Sequence, residues 1–171
     1  MTFEELARAR YSVRAFDSRP IEEEKLTRIL EVGNVAPTGC NYQPQRIYVF
    51  QSQEALEKVR ALTVCHFNAP VVLLFAYDRN ADWKNPLEEG VHAGVQDVSI
   101  VATHVMLAAW EQGIGSCWVN YFSPTAATKA LGLPENEVPV LLMPLGYAAK
   151  DAKPAGFHTQ KKPLAETVQK L

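Results

Sequence analysis

Cysteine is scarce in this chain: Cys40, Cys65 and Cys117 are the whole supply. An odd count at wide spacing builds no disulfide framework, so the expectation is reduced thiols in a cytoplasmic protein. Excess positive charge is also missing. Seventeen Lys and Arg stand against nineteen Asp and Glu, a formal net charge of −2. A chain that neutralises a nucleic-acid backbone needs a basic surplus, so the expectation is no nucleic-acid partner. The most continuous apolar run, Ala69 to Tyr77, falls far short of the roughly 20 residues that span a bilayer. The opening residues Met1-Thr2-Phe3-Glu4-Glu5 are acidic and lack the basic and apolar regions of a signal peptide. No membrane association is expected. Metal-ligand spacing is absent around Cys65, His66, His92 and His104. Gly113-Ile114-Gly115 lacks the third glycine of a dinucleotide fingerprint, and no serine sits in a nucleophile elbow.

What remains is a chain of 171 residues, 47% hydrophobic, without repeats or a linker-like composition break. That predicts one domain over residues 1–171 with enough apolar material for a core. Thr2 and Glu5 form a capping box for a helix to about Arg10. A second helix is expected from about Glu22 to Gly33, and a loop from Val35 to Gln45. Arg46 to Gln51 reads as a strand, and Ser52 caps a helix to about Arg60. Pro70 to Tyr77 has the near-continuous hydrophobicity of a strand buried on both faces. Val91, Val95, Val98, Ala102, Val105 and Ala109 recur at helical steps, predicting a long helix from about Leu87 to Gln112. Ile114 to Asn120 reads as a strand, and Ser123-Pro124 opens a helix that Gly132 closes. Val138 to Tyr147 is the last strand, its pairing restricted by Pro139 and Pro144. The Lys-, Pro- and Gly-rich tail reads as an arm on a neighbour's surface. A short crossover helix, a very long apolar helix and a terminal arm favour α+β over a doubly wound sheet.

Two stretches carry candidate chemistry. In an extended Ala9-Arg10-Tyr11-Ser12-Val13-Arg14-Ala15-Phe16, alternate residues share a face. Arg10, Ser12 and Arg14 would then present two guanidinium groups and a hydroxyl together, a donor set that fits phosphate. The alternative is a solvated basic stretch at a helix end. In Ala36-Pro37-Thr38-Gly39-Cys40-Asn41-Tyr42-Gln43-Pro44, the amides of Asn41 and Gln43 offer both donors and acceptors, as a heterocycle edge requires. Amides are also ordinary turn formers.

Together these two stretches resemble the flavin-dependent nitroreductase family, with its Arg-x-Ser-x-Arg-x-Phe opening and its amide loop. Gly113-Ile114-Gly115-Ser116-Cys117-Trp118, Leu145-Gly146-Tyr147 and Lys161-Lys162-Pro163-Leu164 extend the likeness over nearly the whole chain. The resemblance implies a mixed, mainly antiparallel sheet packed by helices around a long central helix. It also implies a homodimer with exchanged C-terminal arms and FMN at the interface. Arg10, Ser12 and Arg14 would grip the flavin phosphate, with Tyr11 contributing backbone and Lys161 closing on it. Pro37, Thr38, Asn41 and Gln43 would come from the partner subunit. Cys117, Trp118, Val119 and Asn120 would lie along the ring, a backbone N–H near Asn120 facing its hydride-accepting nitrogen. No side chain is expected to be catalytic in its own right, because the flavin carries the hydride. The implied activity passes hydride from NADH or NADPH through FMN to a small acceptor such as a nitroaromatic or quinone. The alternative is an FMN-binding storage or sensor protein with little turnover. Gln45, Asn120-Tyr121 and Lys161 depart from the residues usual in the family at those positions.

Overall fold

The structure, a computed structural model, describes residues 1–171. Its centre is β2 (Val71–Asp78), buried along nearly its whole length. Alternation divides its side chains between two cores. Val71, Leu73, Phe75 and Tyr77 join a cluster with α2 (Glu23–Asn34) and α4 (Gly94–Glu111). Val72 and Leu74 face the other way, into a cluster with α3 (Gln53–Leu62) and residues flanking α5 (Pro124–Leu131). The sheet runs β1 (Gln45–Phe50), β2, β4 (Glu137–Gly146) and β3 (Gly115–Ser116) in spatial order. Every ladder in it is antiparallel. A single parallel bridge, Ser12 to Ser116, ties the N-terminal segment to β3. The expected α+β architecture around a long apolar helix is what forms.

Local signals hold well. Thr2 and Glu5 make the capping box of α1 (Phe3–Ala9). Ser52 caps α3 and Ser123 caps α5, which Gly132 ends at φ +65°. Gly33 has a different role from the helix-ending one its position implies. It lies inside α2, and a Cβ there would come within 2.5 Å of Val105 on α4. Its missing side chain lets the two helices approach.

Two elements are shorter than predicted. The central helix begins at Gly94, not near Leu87. Residues 83–93 instead fold back as a hairpin, with Ala93 N–H donating to Trp83 O and Asn85 N–H to Val91 O. Gly90 turns the tip at φ +80°, and Leu87 there is 92% exposed. The strand expected over 114–120 is regular only at Gly115–Ser116. Cys117 N–H still donates to Pro144 O at 3.2 Å. Pro144 has no N–H to return, so the ladder breaks there. Val119 and Leu142 then exchange one isolated pair of bonds. Across the sheet, Pro139 sits at a register shift opposite Ala76.

At the start of α2, the Tyr147 hydroxyl donates to Glu22 at 2.5 Å, while Arg19 and Lys25 donate to the same phenol. That hydroxyl, with Glu22's own backbone N–H and Arg19, holds the Glu22 carboxyl down at about 2. A depressed carboxylate stabilises the fold above its ordinary value near 4.5 and loses that contribution as pH falls toward 2. Tyr147→Phe should therefore move the Glu22 titration upward, measured by carboxyl-carbon NMR. A titration still near 2 in that variant would assign the effect to Glu22's own backbone N–H and Arg19.

After Gly146 the chain crosses back over the N-terminal segment, with Ala149 N–H donating to Ala15 O. The tail is largely exposed and ends around the short α6 (Leu164–Thr167). No helix is long and apolar enough to cross a membrane.

Candidate functional site

The segment from Arg10 to Arg14 is extended, and its side chains divide as alternation demands. Val13 is fully buried and its N–H donates to Ser116 O at 2.9 Å. Tyr11 turns inward against Trp110, ring centroids 5.2 Å apart. Arg10 and Ser12 are half-buried and Arg14 is exposed. Neither guanidinium has a carboxylate partner, and Arg14 spends one N–H on the Ser12 carbonyl. Burial pushes the Cys117 thiol up, while Arg14, the Ser12 hydroxyl and Arg10 each pull it down. The backbone of the strip is joined to the residue just before the 117–120 segment by the Ser12–Ser116 bridge.

That segment is firmly held. Cys117 and Val119 N–H groups donate to β4, and Asn120 is pinned twice through its side chain. Its Oδ1 accepts from Trp118 Nε1 at 2.7 Å and its Nδ2 donates to Val140 O at 3.0 Å. The backbone N–H of Asn120 makes no hydrogen bond within the chain. Lys161 lies in the tail and donates to His158 O at 2.8 Å, and the His158 ring lies 6.2 Å from Tyr11.

The amide loop stands elsewhere. Gly39 N–H donates to Asp97 Oδ1 at 2.9 Å, and Gln43 N–H to the Thr38 hydroxyl at 3.0 Å. Cys40, Asn41 and Gln43 all adopt positive φ, at 48°, 57° and 51°. Such strain, of order 1 kcal/mol or more per residue, persists only where the surroundings enforce it. Gly39 supplies part of that enforcement, since a Cβ there would meet Trp83 at 3.0 Å. Pro37, Asn41 and Gln43 are exposed and Thr38 half-buried. Asp97 lies near the start of α4 and Trp110 near its end. At roughly 1.5 Å rise per residue, about 20 Å of helix separates the loop's anchor from the Tyr11 contact.

The model of the Nitroreductase family matches residues 7–67 and 65–147. The chain belongs to the nitroreductase family. A relative from Archaeoglobus fulgidus, whose name pairs NADH dehydrogenase with NAD(P)H nitroreductase, is 33% identical over 151 residues. The match covers 84% of this chain and 83% of that protein. A nitroreductase family structure from Clostridium difficile is 38% identical, with a TM-score of 0.92 over 99% of this chain and 98% of that one. A nitroreductase from Exiguobacterium sibiricum, solved in complex with FMN, shares the fold at 21% identity. Its TM-score is 0.85 over 100% of this chain and 98% of its own.

Within this family member, the sequence-derived residues form two groups. Arg10, Tyr11, Ser12, Arg14, Cys117, Trp118, Val119 and Asn120 lie on the N-terminal segment and on the chain that follows β3, which the Ser12–Ser116 bridge joins, whereas Lys161 stays in the tail against His158. Pro37, Thr38, Asn41 and Gln43 gather around the start of α4. Sequence reading missed Asp97. It is buried, one carboxylate oxygen holds the amide loop, and the other has no partner. The signal was present: Asp97 is the single acid among the buried positions of α4, the others being Gly94, Val98, Val101, Ala102, Val105, Ala108 and Ala109. A charge at a core position of an apolar helix marks a task other than packing.

Proposed function

We propose that this chain is one FMN-binding domain, residues 1–171, of a homodimeric NAD(P)H oxidoreductase. The observation that carries the reading is the unpaired Arg10–Ser12–Arg14 strip, bonded by its backbone to the segment ending at Asn120. Two guanidinium groups and a hydroxyl without carboxylate partners fit a phosphate dianion. The NAD(P)H nitroreductase name of the Archaeoglobus relative and the FMN held by the Exiguobacterium protein supply the cofactor and the donor. Bound FMN would supply two-electron hydride chemistry between NAD(P)H and an acceptor.

The chain's own part is binding and electrostatics. Arg10, Ser12, Arg14 and Lys161 would hold the phosphate, and Tyr11 keeps the strip extended by packing on Trp110. Cys117, Trp118 and Val119, held against β4, would form an edge along the ring. With FMN bound, the Asn120 N–H, which has no partner within the chain, would donate to the ring nitrogen that gains electron density on reduction. The amide loop serves the flavin of the other subunit, because about 20 Å of α4 lies between it and the strip of its own chain. Exposed Val95 and Ile100 on α4 give that helix an apolar outer face for the partner to cover. The acceptor is a small planar molecule such as a nitroaromatic or quinone.

Purified protein should be yellow, dimeric by light scattering, and bleached within a turnover by anaerobic NADH or NADPH in stopped-flow. A colourless monomer would refute the site. A flavin that binds but reduces only sluggishly would turn the reading into FMN storage or sensing.

A further inference from the structure

A cavity of about 450 Å³ opens between the end of α3 and the turn that follows Asn120. Its walls are mostly apolar: Leu62, Val64, Tyr121 and Phe122, with Tyr121 74% exposed and Val64 77% exposed. The two sides are fixed to each other, since the Thr63 hydroxyl donates to Tyr121 O at 2.6 Å. The one charged residue on the lining is Arg60. Arg60 is half-buried and its side chain forms neither an ion pair nor a hydrogen bond. Its field is felt nearby: burial first, and then the Arg60 charge, depress the His66 imidazole. No carboxylate lines the cavity to answer it.

A half-buried guanidinium without a counter-ion, at the edge of an apolar slot, is a receptor for a flat molecule with an anionic group. We propose that this cavity is the acceptor subsite and that it selects planar aromatic acceptors bearing a carboxylate or a similar anion. The inference rests on the reading that Asn120 borders the flavin, because Asn120 lines both places. Val64, Tyr121 and Phe122 take the ring, and Arg60 takes the anion. Tyr121, a departure from the family's usual residue, thereby becomes a wall of the specificity pocket.

The test compares 4-nitrobenzoate with nitrobenzene as acceptors for the flavin-loaded dimer, wild type against Arg60→Gln. The ratio of kcat/KM for the charged over the neutral acceptor should fall about tenfold or more, the scale of one charge-assisted hydrogen bond. Arg60→Lys should recover part of it. Calorimetric binding of benzoate, which needs no turnover, should weaken in parallel. The dinucleotide also carries anionic groups, so the reductive half-reaction is timed separately against NADPH concentration. A change confined to that half-reaction, or an unchanged acceptor ratio with flavin bound, overturns the subsite. Protein that takes up no flavin overturns the reading beneath it as well. If Arg60→Gln does not fold, the wild-type preference for 4-nitrobenzoate must erode from low to physiological salt. A salt-independent preference counts against Arg60.

Discussion

Replacing Arg10 and Arg14 together with glutamine should raise the Kd for FMN by roughly two to four orders of magnitude. Each guanidinium contributes charge-assisted hydrogen bonds worth about 1.5–3 kcal/mol, and about 1.4 kcal/mol is tenfold in affinity. The effect should fall on binding, not on folding. Both side chains are partly or fully exposed and neither has an ion pair to lose, so unfolding free energy should shift by no more than about 0.5 kcal/mol. Fluorescence titration of the apoprotein with FMN measures the first quantity and urea unfolding the second. Lysine at both positions should restore charge but not the two-pronged geometry, leaving an intermediate affinity. A double glutamine variant that still binds FMN as the wild type does would remove the phosphate role of the strip.

The strip was legible in the sequence because its logic is local. Alternation in an extended segment puts Arg10, Ser12 and Arg14 on one face without reference to the rest of the fold. The same holds for the capping box at Thr2 and Glu5, the cap at Ser123 and the glycine at 132. Sequence pattern and structure part where distant partners decide. The apolar spacing from Val91 onward continues a helical stripe in sequence. Yet residues 83–93 form a hairpin, because Trp83 packs on Gly39 and the His92 ring donates to Asp82 at 2.7 Å. The strand over 114–120 had the right composition, and it failed because its neighbour presents Pro144. Arg60 was silent for another reason. A basic residue near a helix C-terminus reads as an ordinary complement to the helix dipole, and only the cavity beside it gives that charge a task.

Gly115→Ala should separate the phosphate strip from the flavin edge, with loss of both stability and cofactor. A Cβ at position 115 would stand 2.6 Å from Val13 Cγ2 and 2.9 Å from Val13 Cβ, inside van der Waals contact. Val13 cannot swing aside, because it is fully buried and its N–H is bonded to Ser116. Overpacking of this kind costs about 1–3 kcal/mol. Relief requires the 10–14 segment to move off β3, which carries Arg10, Ser12 and Arg14 away from Cys117 and Asn120. The flavin would then meet its phosphate donors and its ring edge at the wrong spacing, so FMN affinity should fall further than stability alone explains. Val13→Ala in the same chain removes the Cγ2 contact but leaves the 2.9 Å approach to Val13 Cβ. It should therefore rescue FMN binding in part while adding a cavity penalty of its own. Thermal unfolding with and without saturating FMN separates the two effects. A Gly115→Ala protein that is destabilised yet binds FMN normally would mean that strip and ring edge need not be held in contact.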